Sequence, residues 1–128
     1  MDKLEYIPGD LIKFATNTYT IVNFEENFLQ NKICYALIST NSTKTAFVAD
    51  RDVLPIPLTP EILEKNGWAK DKEGYINDSY HLHLCGKYDG YSVYKVVNDN
   101  VVWLTGVRNV HDLQHLLFGL GINHEMEV

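Results

Sequence analysis

Residues 54–68 read Leu-Pro-Ile-Pro-Leu-Thr-Pro-Glu-Ile-Leu-Glu-Lys-Asn-Gly-Trp, and no other stretch punctuates the chain as sharply. Thr59 can cap a helix, Pro60 fits the first helical position where no N–H is needed, and Glu61 complements the helix dipole. Leu58 before the cap and Leu63 at the fourth helical position have the spacing of a hydrophobic staple. Asn66-Gly67 supplies a left-handed stop, after which Trp68 can fold back on the last turn. A helix this short is not stable alone and must be held by packing. The stretch therefore reads as a bridge between an upstream and a downstream block, both rich in strand patterns.

Upstream, Pro8-Gly9-Asp10 is a turn that launches strands at 11–14, 19–24, 32–40 and 45–48, with a short one possible at 53–56. Ile33, Tyr35 and Leu37 alternate with Cys34, Ala36 and Ile38, so the strand that carries them is expected to be covered on both faces. Five short strands in so few residues predict a small SH3-like barrel. Downstream, strands are expected at 75–76, 80–85, 91–97 and 101–105, then a helix capped by Asn109 and ended by Gly119 and Gly121. Residues 122–128 alternate and read as a last strand. The expectation is an α+β chain, mostly antiparallel, divided as 1–57 and 58–128 and packed as one compact unit.

The 128 residues carry a formal net charge of −6 with lysine and arginine scattered, which argues against a general binder of phosphate backbones. Cys34 and Cys85 form no Cys-x-x-Cys pair or disulfide framework and read as reduced thiols. No signal-peptide pattern and no run of roughly 20 apolar residues occurs, so a cytoplasmic location is expected.

Histidine is the most suggestive chemistry. On a strand at 80–85, His81, His83 and Cys85 would share one face, and on the last helix His111 and His115 lie one turn apart. Zinc held by His81, His83, His111 and His115 is thus an alternative, as a structural site or a metal-dependent hydrolase. Asp112 stands where a zinc protease has glutamate, and its shorter arm would misplace the general base. Exposed histidines are the plainer reading. Val110, Leu113, Leu116 and Leu117 make the apolar arc of that helix, with His111 and His115 nearly opposite and Phe118 beside them. No nucleophile elbow, phosphate-cradling glycine loop or carboxylate pair is found, so no catalytic residue is assigned. Tyr80, Tyr88, Tyr91, Tyr94 and Trp103 crowd the downstream strands and can form a recognition surface. Stacking on a nucleic-acid strand is a further alternative, set back by the acidic balance.

Residues 55–68, together with Val110-His111-Asp112-Leu113-Gln114-His115 and the opening Gly9-Asp10-Leu11-Ile12-Lys13, resemble a group of small proteins of Bacteroidetes, their phages and mobile elements. The helix part of the resemblance is Val-His-x-Leu-Gln, which takes in His111 and Gln114 and leaves His115 outside. The resemblance implies an origin and no mechanism. The functional expectation is a non-enzymatic interaction module without a cofactor, binding a protein partner or itself, with no membrane partner. Its contact surface is expected at Tyr88, Tyr91, His111, Gln114 and Phe118.

Overall fold

The fold was analysed in a computed structural model, which describes residues 6–15, 17–27, 32–39, 45–49, 52–87 and 90–128. The chain divides into two compact units, Met1–Ile56 and Pro57–Val128. It is α+β, with the strands of both units antiparallel.

The first unit is a curled four-stranded meander of β1 (Leu11–Phe14), β2 (Asn17–Asn27), β3 (Lys32–Ser39) and β4 (Thr45–Ala49), in that spatial order. The turn at Pro8-Gly9-Asp10 is held from three sides. The buried Asp10 carboxylate accepts the Ile7 N–H at 2.9 Å, Gly9 N–H donates to the Ile21 carbonyl, and Ile21 N–H donates to that of Asp10. The core is Tyr6, Ile12, Ile21, Tyr35, Leu37, Val48 and Val53, with the Tyr6 ring edge-on to Tyr35 at 5.6 Å. Tyr35 and Leu37 on one face and Ala36 on the other are all buried, as their double-sided apolar pattern requires. The strand expected at 53–56 is a single bridge: Lys13 and Leu54 exchange two backbone hydrogen bonds of 2.8 Å, which cover part of the open edge of β1.

The second unit opens with the helix read at 59–67. α1 (Pro60–Lys65) has Thr59 as its cap, whose Oγ1 accepts the Ile62 N–H at 3.3 Å, and the staple residues Leu58 and Leu63 are both buried. Its stop is a Schellman motif: Gly67, at φ +87°, donates to the Glu64 carbonyl and Trp68 N–H to that of Leu63. The strands β5 (Ala69–Lys70), β6 (Gly74–Asn77), β7 (Leu82–Lys87), β8 (Gly90–Val97) and β9 (Asn100–Val107) follow as a meander in chain order. α2 (Val110–Gly119) ends on the same motif as α1, with Gly121 at φ +73° donating to the Phe118 carbonyl and Ile122 to that of Leu117. Among the described residues of this unit, Leu58, Leu63, Trp68, Tyr75, Leu82, Leu84, Val93, Val107, Val110, Leu113 and Leu117 are the buried apolar ones.

Other elements differ from the sequence reading as well: β5 is not among the expected strands. β7 begins at Leu82, and His81 sits before it in a turn at φ +56°, so it does not share a strand face with His83. Residues 122–128 run extended without joining a sheet. Side chains hold them instead: Gln114 Nε2 donates to the His124 carbonyl at 3.1 Å, Asn66 pairs with the backbone of Glu127, and Lys65 Nζ donates to the Val128 carbonyl at 3.2 Å. Among the described residues no helix is long and apolar enough to cross a membrane.

Candidate functional site

Strand register sorts the second unit's sheet into two faces. Tyr75, Leu84 and Val93 align across β6, β7 and β8 on the inner face and are buried. On the outer face one cross-strand row runs Ala69, Ile76, His83, Tyr94 and Trp103. The next row on that face runs Gly74, Cys85, Ser92 and Gly106. A row of small side chains beside a row of bulky ones leaves a trough whose floor is largely backbone, because neighbouring rows stand on the same face two residues apart. The trough has a volume of about 1170 Å³. It is lined by Cys85, Ser92 and Gly106 of the one row, by His83 and Tyr94 of the other with Val101, and by Gly86, Tyr91 and Val107 of the adjoining row.

Its charged groups come from the two connections at its ends. Asp71 Oδ1 accepts the N–H groups of Glu73 (3.0 Å) and Gly74 (2.9 Å), fixing the turn that brings Lys72 and Glu73 to the trough. At the start of α2, Asp112 Oδ2 accepts the N–H groups of Asn109 (2.9 Å) and Arg108 (3.1 Å), so Arg108 and Asp112 line the trough from a fixed corner. Asp112 Oδ1 also lies 3.5 Å from His111 Nε2.

Cys85 and Ser92 are the nucleophile types in the trough, and the surroundings of Cys85 hold it as a thiol. Desolvation pushes its pKa up, as do the Glu73 and Asp71 carboxylates and the weak contact from Sγ to Glu73 Oε2 at 3.9 Å. A reactive cysteine needs the opposite environment, one with a nearby cation. Tyr91 lies at the edge of the trough. Its ring covers Gly86 so closely that a Cβ there would come within 2.7 Å of it, and it meets Tyr75 edge-on at 6.3 Å. Burial raises the pKa of both phenols. Glu64 and Glu61 add to the shift at Tyr75, and Tyr75 and Glu61 to that at Tyr91.

The residues expected as one contact surface are not gathered into one. Tyr91 lines the trough, and Phe118, 60% exposed, stands six residues beyond Asp112 on α2 with its ring against His124. Tyr88 lies outside the described residues. His111 and Gln114 are buried (2% and 1% exposed), which corrects their placement on an outward helix face. The buried arc of α2 runs through Leu113, Leu117, Val110, Gln114 and His111, turned toward the side over which residues 122–124 fold back. Leu116, expected in the core, is only half-buried. The proposed zinc ligands are dispersed as well: His83 lines the trough, His81 is exposed in its turn, and His111 and His115 pack ring to ring at 5.6 Å on α2. Among the described residues no group of three or more His, Cys, Asp or Glu side chains is placed to hold a metal ion.

Sequence reading missed the trough residues Cys85, Ser92, Gly106, Lys72, Glu73 and Arg108 as a set. Strand alternation does put Cys85 on the face of His83, but the row it joins appears only when four strands are in register. Compared with protein-family models, curated proteins and solved structures, the chain shows no significant match.

Proposed function

We propose that the chain is a non-enzymatic protein-interaction module whose outer sheet face in the second unit takes an extended segment of a protein partner. The observation that carries this reading is the row Cys85, Ser92 and Gly106 beside the row His83, Tyr94 and Trp103. It offers main chain at the bottom, an aromatic side, and charged groups at the rim, which is the anatomy of a contact with a central anchor and a polar border. Trp103 stands 60% exposed next to Tyr94, where burial by a partner would gain the most apolar area. The protonated Cys85 thiol supports a binding role over nucleophilic chemistry.

On the resemblance of residues 55–68 and 110–115, we place this module among the accessory or host-modulating factors of phages and mobile elements, acting in the cytoplasm. The curled first unit, with the edge of β1 partly covered by Leu54, supports the SH3-like reading of that half.

Gly106→Leu tests the proposal. A Cβ at Gly106 meets only the Tyr91 carbonyl oxygen, at an ordinary 3.8 Å, so a side chain can start there without displacing a neighbour. Wild-type protein immobilised in lysate of its source cells should retain a partner that Gly106→Leu loses, with the thermal transitions matching. Equal retention by both overturns the reading. Metal analysis of untagged protein checks the zinc alternative: zinc well below one ion per chain is expected, and near one per chain reverses the ranking.

A further inference from the structure

β9 is the last strand of its sheet, and among the described residues no strand pairs with its outer edge. From Asn100 to Val107 it carries no charge and no proline, and Val101 (62%), Val102 (47%) and Trp103 (60%) are exposed. Edge strands are ordinarily protected by charges, prolines or short length, because their free N–H and C=O groups invite another strand. This edge has none of those guards; the one device it does carry is a bulge at Leu104, where its register with β8 shifts.

The hairpin before it fixes which groups face outward. Asn98 and Asp99 both have positive φ (50° and 67°), the geometry of a two-residue turn, and Val97 and Asn100 close it. The closing pair of such a hairpin exchanges both its hydrogen bonds, and the pairs then alternate. Val101 opposite Val96 and Trp103 opposite Tyr94 are therefore the non-bonded pairs, and their main-chain N–H and C=O point away from β8. The register shift falls only beyond Trp103.

We propose that the second unit binds a second copy of itself by antiparallel pairing of the two β9 strands about a two-fold axis at Val102. This rests on reading that unit as an interaction module and names one partner for it. In this register Val101 of each copy faces Trp103 of the other, and the outward groups of these residues form four main-chain hydrogen bonds. The Trp103 ring falls beside the Val101 side chain of the other copy on the outer face, a favourable aromatic–β-branched pair. The two Val102 side chains meet at the axis in a non-bonded pair, the closer kind, with Cα atoms about 4.5 Å apart. No other uncharged register pairs both residues without using the bulge. Each copy has a formal net charge of −6, which opposes association, and the uncharged edge is where two copies can pair without like charges facing each other. The result is a ten-stranded sheet with two troughs on one face. A contact one strand wide is small, so association should be weak and concentration-dependent.

Sedimentation equilibrium from about 10 μM to about 1 mM, spanning the range of weak complexes, reads the outcome. Wild type should shift toward twice the chain's mass as concentration rises. V102K and V102E should each associate at least tenfold more weakly, since like charges would face each other at the axis. Mixed in equal amounts, the two should recover association, which a misfolded variant could not do. A wild type monomeric throughout overturns the proposal. So does a mixture no more associated than its components, or an unaltered dimer in either variant, which would place the contact elsewhere. No other protein is present in these measurements, so they stand apart from the Gly106→Leu capture result.

Discussion

The Cys85 thiol lies 3.9 Å from the Glu73 carboxylate, a neighbour that keeps its proton in place. Glu73→Gln removes a nearby negative charge and the contact that favours the neutral thiol, so the pKa should fall and the thiolate fraction at pH 8 should rise. Iodoacetamide should alkylate Cys85 slowly in the wild type and several-fold faster in Glu73→Gln, read by mass spectrometry. An unchanged rate would mean that access, and not charge, limits the reaction.

Tyr75 and Tyr91 extend this to stability. A group whose folded pKa is raised lends stability that is complete below its unfolded value and lost as pH rises through the folded one. The second unit should therefore lose stability on the alkaline side, above the ordinary phenol range. Tyr75→Phe should lose less between pH 9 and about 11, near the tyrosine reference value, in urea titrations at each pH.

Gly119 and Gly121 differ in sign. Gly119 is the last residue of α2 and nothing lies within 4 Å of a Cβ there, whereas Gly121 is held at φ +73°. Gly119→Ala should stabilise by a few tenths to about 1 kcal/mol. Gly121→Ala should cost about 1–2 kcal/mol, the penalty of a left-handed Cβ. Chemical denaturation of both variants checks the pair.

Phe118 and His111 separate surface from interior. Phe118→Ala should stay within about 0.5 kcal/mol of wild type. His111→Ala, at a buried position, should cost about 1–3 kcal/mol. Equal effects would mean that α2 is turned differently from the arc described.

What was legible in the sequence was what depends on neighbours along the chain. Thr59-Pro60, the Leu58–Leu63 staple and Asn66-Gly67-Trp68 act within one or two turns, so α1 and both its ends follow from residue identity. The strand blocks follow from alternation. The face of α2 did not, because the Gln114 amide bonds the main chain of His124, ten residues later, and a wheel drawn from residues 110–118 contains no trace of it. His81 left its strand because the turn after Asn77 takes a left-handed residue that is not glycine. The trough was out of reach for a deeper reason. Gly74, Cys85, Ser92 and Gly106 are scattered over more than thirty residues and become a row only through the register of four strands.

Asn66 holds the segment after α2 with both ends of its amide: Nδ2 donates to the Glu127 carbonyl at 2.7 Å and Oδ1 accepts the Glu127 N–H at 2.8 Å. Nδ2 also reaches the Ile62 carbonyl at 2.7 Å. Asn66→Ala should lower stability by about 1–3 kcal/mol, and hydrogen exchange should quicken at residues 124–128 while β7 and β8 stay protected.

That clasp joins residues 61 apart, whereas every strand of the second unit pairs with its immediate successor in the chain. The hairpins can zip in sequence at little entropic cost, and the long closure has to come after them. The clasp is then absent from the folding barrier and present in the native state, so it acts as a brake on unfolding alone. Losing it should shorten the native lifetime and leave the refolding rate as it was.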